Sequence, residues 1–165
     1  MLLSMTTTGP VSRAELEEQI SADIRALSAE SDQIGRLFAS RHDVSPNDFR
    51  ALLHVKVADT AGSPLTSGEL RDRMGVSGAA ITYLVERMIA SDHLRRESDP
   101  ADRRKVLLRY ADHGMAVARA FFAPLAEHTH VAMADLPDAD LAAAHRVFSA
   151  LVAAMRAFEA ELNRA

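Results

Sequence analysis

The chain has 165 residues, a formal net charge of −4, 48% apolar residues and only 5% aromatic residues, with no Trp and no Cys. That length suits one domain with a real core, and the composition favours a mainly helical protein. Absence of cysteine excludes disulfides, thiolate metal sites, cysteine nucleophiles and thiol redox sensing.

No run of about 18 consecutive apolar residues occurs, so no membrane span is expected. The opening "MLLSMTTTGP" is too short and too polar for a secretory signal. Residues 1–12 read as a flexible lead-in, and the protein as cytoplasmic. The net charge hides an uneven distribution. Between Arg50 and Arg109 stand 11 Lys/Arg against 8 Asp/Glu, and the flanking segments are acidic. A cationic centre between acidic ends suits one surface for an anion and another for a different partner.

From Val11 to about Ser40, Leu16, Ile20, Ile24, Leu27, Ile34, Leu37 and Phe38 recur at helical intervals. Ser45-Pro46-Asn47-Asp48 marks a second helix start: a Ser cap, Pro in the first turn and an acid three residues after the cap. Phe49, Leu52, Leu53 and Val57 are its expected inner face, and Gly62-Ser63-Pro64 ends it. Thr66 and Glu69 form a capping-box pair, with Leu65 placed as a staple. The helix they open is short, buries Leu70 and Met74, and stops at Gly75. Ser77 caps another helix at once, with Ile81, Leu84, Val85 and Met88 as its buried stripe. Two short helices joined around a glycine describe a helix-turn-helix.

Beyond Met88 the period changes. Leu94 precedes the charged run "RRESDPADRRK", and "KVLLRY" reads as a strand. Strand, polar tip and return strand predict a β-hairpin turning near Ser98-Asp99-Pro100-Ala101-Asp102. A hairpin beside a helix-turn-helix is a winged helix. Two more helices follow. One runs from about Asp112 to Ala134, with Val117, Phe121, Leu125 and His128 or Thr129 on one side, and Leu136-Pro137 breaks it. The last covers about Asp138 to Asn163. Its Leu141, Ala144, Phe148, Leu151, Met155, Phe158 and Leu162 alternate by three and four, a heptad seam. Such a seam either packs on its own core or finds a partner. With little chain left to cover it, both chain ends together suggest a helical dimerisation layer.

The stretch "DPADRRKVLLRYADHG", with "TSGELRDRMGVSGAAITYLVERM" upstream, resembles the MarR family of bacterial transcription regulators. Asp99, Asp102, Arg103, Arg104 and Gly114 stand where that family carries D-x-x-D-R-R and the glycine of the next helix start. The order of elements matches over roughly residues 13–163. Two positions depart: Asp92 stands where the family has Gly after the recognition helix, and Leu-Thr becomes Tyr110-Ala111. An aspartate can still take the left-handed backbone there at some cost, and Asp112, one residue later, is the candidate to replace the missing hydroxyl cap.

The resemblance implies a winged helix-turn-helix with a small hairpin wing and an N- and C-terminal helical dimerisation layer. Residues 46–111 would form the DNA-binding region, and 13–45 with 112–163 the dimerisation region, in one intertwined domain. It implies a homodimer on a near-palindromic operator with half-sites about 10 bp apart, with repression as the family default, and no enzymatic activity or cofactor. In the reading helix, Ser77, Gly78, Ala79, Ala80, Thr82, Tyr83 and Arg87 are left over by the buried stripe. Ser77, Thr82 and Tyr83 suit hydrogen bonds, Ala80 or the Thr82 methyl suits a thymine methyl, and Arg87 suits phosphate. Capping alone also explains Ser77, and packing alone Tyr83. On the wing, Arg96 joins Arg103 and Arg104, the last two expected on opposite faces of a strand. The resemblance sends Arg103 into the minor groove and makes Asp102 an orienting partner. Ser67, at a helix N-terminus, suits phosphate.

Family members often take small aromatic or lipophilic effectors. Leu37, Arg41, Phe49, Leu53, His54 and Phe121 or Phe122 are the corresponding candidates, although such residues are commonly plain core or surface groups. Two rivals compete: a metal-responsive regulator using some of the seven histidines, and a winged helix used for protein contact. No Gly-rich phosphate loop, H-E-x-x-H or G-x-S-x-G signals an enzyme.

Overall fold

The computed structural model describes residues 11–162 and 164. The chain runs α1 (Arg13–Arg41), α2 (Pro46–Thr60), α3 (Ser67–Met74), α4 (Gly78–Ala90), β1 (Leu94–Ser98), β2 (Val106–Tyr110), α5 (Asp112–Met133) and α6 (Asp138–Leu162). Of the expected lead-in, residues 1–10 lie outside the described residues. Ser12, at its end, is the cap of the first helix, its side chain forming a reciprocal box with Glu15. Two compact units result, one reaching to Ala118 and the other running from Arg119.

In the first unit, local capping chemistry sets most helix ends. Ser45 with Asp48 and Thr66 with Glu69 form capping boxes at α2 and α3, and Ser77 accepts the Ala80 N–H at α4. Each box satisfies backbone donors that the first helical turn would leave bare. Gly75 takes φ 65° and closes α3, its N–H reaching the Asp72 carbonyl and that of Val76 the Arg71 carbonyl. Asp92 takes φ 54° and closes α4 in the same way: its N–H reaches the Ile89 carbonyl and that of His93 the Met88 carbonyl. The left-handed aspartate expected from the sequence is therefore present.

The core of this unit joins both strands to three helices. Leu52, Val55, Leu70, Val85, Leu94 and Leu108 are almost wholly out of water. The stripe of α4 is as expected, with Ile81, Leu84, Val85 and Met88 buried. That of α2 is not. Its buried residues are Asp48, Ala51, Leu52, Val55 and Ala58, while Leu53 and Val57 are half exposed and Phe49 is partly covered. This helix carries apolar residues on nearly every side, so periodicity alone does not choose its face. A pairing 39 residues away accompanies the choice: the carboxylate of Asp48, 2% exposed, accepts from the Arg87 guanidinium of α4. Gly35 of α1 lets that helix approach α2 closely, since a Cβ there would sit 2.3 Å from the Phe49 ring. Phe49 also packs against Phe38, with ring centroids 5.3 Å apart.

Strands β1 and β2 pair antiparallel, from Leu94 opposite Tyr110 to Ser98 opposite Val106. The Leu108 N–H donates to the Leu65 carbonyl at 2.7 Å, tying the hairpin to the entrance of α3. Arg109 bonds Asp59 of α2, and the Tyr110 hydroxyl donates to the Leu52 carbonyl at 3.1 Å. Burial pushes the Tyr110 phenol well above its usual range.

The entry to α5 departs from expectation. Asp112 is the first helical residue and makes no cap. The Gly114 N–H is instead taken by the Asp92 carbonyl at 3.0 Å, and that of Ala111 by the His93 carbonyl at 3.0 Å. A Cβ on Gly114 would lie 2.4 Å from the His93 oxygen, so glycine is required for this approach. His93 is itself buried, with Nδ1 2.9 Å from the Ser91 hydroxyl and Nε2 without a partner.

In the second unit, Phe121 and Phe122 meet edge to face at 4.9 Å, and the break at Leu136-Pro137 falls between α5 and α6 as expected. No residue of α6 is buried, and Phe148, Met155, Phe158 and Leu162 on its seam are at least half exposed. By length and composition α6 is apolar enough to cross a membrane, with none of its apolar window covered.

Burial, with His113 and His42 adding, holds the His93 imidazole below its ordinary value, while Ser91 and Asp48 oppose them. As pH falls below about 6.5 the unfolded chain takes up a proton that the folded chain refuses, so this contribution is complete above that pH and is lost below it. His93→Gln should flatten the fall in urea-unfolding free energy between pH 7 and 5; an unchanged slope contradicts this. Arg87→Ala should cost about 2–3 kcal/mol by leaving Asp48 buried without its cation. Adding Asp48→Asn should restore part of it, and a loss within about 0.5 kcal/mol would show the pair to be inert.

Candidate nucleic-acid interface

Helix α4 presents its outer face to solvent. Opposite its buried stripe lie Ala79, Tyr83 and Glu86, with Ala80 and Thr82 at the edges, all exposed. Ser77 stands at the entrance, where its oxygen accepts the Ala80 N–H at 3.2 Å. Capping thus uses one lone pair and leaves the hydroxyl proton available. Thr82 donates its hydroxyl to the Gly78 carbonyl at 2.9 Å.

Arg87, expected at a phosphate, has a protein partner as well. Its guanidinium is drawn to the buried Asp48 and lies 5.0 Å from the centroid of the Tyr83 ring. The hydrogen bond to Asp48 raises its pKa further, against the desolvation that opposes it. Arg87 therefore positions α4 against α2 and backs Tyr83, which is 68% exposed. No local pattern signals this partner, because Asp48 already has a reading as a capping residue.

The wing differs from expectation in one respect. Arg103 and Arg104 do not alternate along a strand; they are the middle of a tight turn closed by the Lys105 N–H on the Asp102 carbonyl at 2.8 Å. Asp and Pro chemistry set the turn one step earlier than its arginines: the Asp99 carboxylate accepts the Ala101 N–H at 2.8 Å. Asp102 accepts from the Arg104 backbone N–H at 3.0 Å and from its Nε at 3.3 Å. Its oriented partner is thus Arg104.

The remaining charges of the hairpin are nearly all engaged. Arg95 pairs with Glu97, Arg96 with Glu86 of α4 at 2.7 Å, and Arg109 with Asp59 and with Glu97 at 3.5 Å. The Arg96 contact holds the Glu86 carboxyl below its usual range. It also links the wing to the reading helix, a role the sequence does not reveal. Among the described residues of the hairpin, only Arg103 and Lys105 are cations without an ion pair. Ser67 is the half-buried first residue of α3. Beside it the Glu69 carboxylate takes the Thr66 backbone N–H and hydroxyl, bonds that lower its pKa, with Lys105 and Arg73 adding.

The candidate effector residues are less coherent. Leu37, Arg41 and Leu53 are exposed, His54 is partly covered, and Phe49 is engaged with Phe38 and Gly35. Phe121 belongs to the second unit. A cavity of about 420 Å³ lies elsewhere in the first unit, lined by residues that include Ser40, Asp43, Asp48 and Arg87, and shares none of these candidates. Among the described residues no group of three or more His, Asp or Glu is placed to hold a metal ion.

The MarR family's sequence model matches residues 42–105. An uncharacterized HTH-type transcriptional regulator of Bacillus subtilis (strain 168), YcgE, is 29% identical over 153 residues, spanning 93% of this chain and 95% of its own. Among solved structures, a mutant MepR from a multidrug-resistant S. aureus clinical isolate superposes with a TM-score of 0.65 at 14% identity, over 82% of this chain and 96% of its own. The S. aureus MepR–DNA complex gives a TM-score of 0.50 at 15% identity, over 82% of this chain and 98% of its own. At such identities the solved structures speak for the fold alone. The matched segment spans the helix pair and the hairpin whose geometry is given above; over residues 42–105 the chain is similar to the MarR family, and its fold is that of the solved winged-helix neighbours.

Proposed function

We propose that the chain acts in the cytoplasm as a homodimer that binds a near-palindromic double-stranded operator and represses transcription until a small aromatic or lipophilic effector releases it. The observation that carries this reading is the pairing of two free surfaces: the outer face of α4 and the unpaired Arg103 at the tip of the wing. Ser77, Ala79, Ala80, Thr82 and Tyr83 would meet base edges in the major groove, and Arg103 the adjacent minor groove, whose negative potential attracts a guanidinium. Ser67 and Arg104 would contact phosphate, while Asp102 shapes the tip. Arg87 and Arg96 would hold the reader in place. The structural relative solved on DNA, MepR, supports a DNA partner for this fold.

Residues 46–111 would serve as the reading region. Residues 13–45 and 112–163 would supply the dimer contacts. The bare seam of α6 supports the second role, because a strip of Phe and Met left in water favours association. Its three-and-four spacing is the one that two helices share. An effector would act by favouring dimer geometries whose two readers no longer match the groove spacing.

Arg103→Ala should weaken binding to a duplex and reduce the slope of log affinity against log salt by about one unit. Unchanged affinity and slope would favour a wing used for protein contact. Phe158→Glu, on an exposed position, should leave the helix content intact and halve the mass seen by sedimentation. A wild-type chain that sediments as a monomer at micromolar concentration contradicts the dimer.

A further inference from the structure

We infer that this chain selects its operator through thymine methyl groups in the major groove and has no guanine-reading side chain on its recognition helix. This deepens the proposed function and rests on it, since it concerns what the outer face of α4 can recognise.

Direct reading of guanine in the major groove relies on Arg or Lys forking onto O6 and N7, and reading of adenine on Asn or Gln forking onto N6 and N7. Helix α4, "GAAITYLVERMIA", contains no Lys, Asn or Gln, and its one Arg is Arg87. That guanidinium is anchored to the buried Asp48 through Nη2, and its carbon lies 5.0 Å from the Tyr83 ring centroid, so it is not free to fork onto a base. Glu86, an acceptor suited to cytosine, is occupied by Arg96. Thr82 uses its hydroxyl proton on the Gly78 carbonyl, which leaves it no donor, an acceptor oxygen and its methyl. Beside it stand the methyl groups of Ala79 and Ala80, both exposed. Ser77 and Tyr83 keep single hydroxyl groups, which accept and donate and so discriminate weakly among bases.

Three small apolar groups on the first two turns of a groove-reading helix have one complementary feature there, the 5-methyl of thymine. An apolar face without a fork also allows the helix backbone to approach more closely than a long side chain would. Burying one methyl pair is worth roughly a three- to fivefold change in affinity. Several such contacts in each of two half-sites would give a clear preference for thymine at fixed positions.

The test starts with the full-length chain and a random duplex library, from which a bound sequence is selected. In that duplex each thymine is replaced in turn by deoxyuridine, which removes the major-groove methyl and leaves pairing and the minor-groove edge unchanged. Each guanine is separately replaced by 7-deazaguanine, which removes the N7 acceptor. Deoxyuridine at one or more positions in each half-site should weaken binding about three- to fivefold per position, and 7-deazaguanine no more than about twofold. Thr82→Ser, which keeps the hydroxyl and lacks the methyl, or Ala80→Gly should bind the thymine duplex more weakly and no longer distinguish it from the uracil form at the matching position. Deoxyuridine without effect, or a roughly tenfold loss with 7-deazaguanine, overturns the inference while leaving a DNA-binding regulator in place. Failure to select any duplex overturns the inference and the proposed function together.

Discussion

The contact between Arg87 and Asp48 joins α4 to α2 across 39 residues of sequence. A carboxylate removed from water is costly unless a cation answers it. Asp48 sits at the start of α2, where its carboxylate also accepts the Ser45 backbone N–H at 3.1 Å. Arg87 sits in the last turn of α4. Joining them ties the end of α4 to the start of α2, while the buried stripe of Ile81, Leu84, Val85 and Met88 leaves Ala79, Thr82 and Tyr83 outward. The same bond anchors the helix's only guanidinium beside that face, against Tyr83.

The wing is held by the same kind of chemistry. Arg96 links β1 to Glu86 on α4, and Arg109 links β2 to Asp59 on α2, with Tyr110 adding a hydrogen bond to α2 through its hydroxyl. These exposed and half-exposed contacts contribute little stability singly. Their value is geometric, because they leave the hairpin tip with a defined aim and with one arginine unpaired. At its base, the left-handed Asp92 turns α4 into β1 and presents a carbonyl to the first turn of α5. An aspartate takes the turn, and its carbonyl replaces the hydroxyl cap.

Much of this is legible in the sequence because much of it is local. Ser45, Thr66 and Ser77 with their partners three residues on announce helix starts, Gly75 and Asp92 announce stops, and the stripe of Ile81, Leu84, Val85 and Met88 has no competing face. The features that escape the sequence share a cause. The inward face of α2 is ambiguous because Phe49, Leu53 and Val57 suggest one stripe and Ala51, Val55 and Ala58 another, and a partner far along the chain accompanies the outcome. The Asp48 partner of Arg87 escapes because it is not within reach of any local pattern. Arg103 and Arg104 suit a strand by position, whereas the tip is a second turn that hydrogen bonds from Asp99 and Asp102 define. The natural place to seek the cap of α5 is a side chain, and it lies in a backbone carbonyl.

In the proposed complex, two copies place two reading helices and two wing tips on one side of a duplex. Hydroxyl-radical footprinting on a selected duplex tests this most directly, since cleavage reports the minor-groove sugars that a wing would cover. Two protected segments related by a dyad, flanking reading sites centred about 10 bp apart, are expected. A single protected segment, or protection without two-fold symmetry, would contradict it.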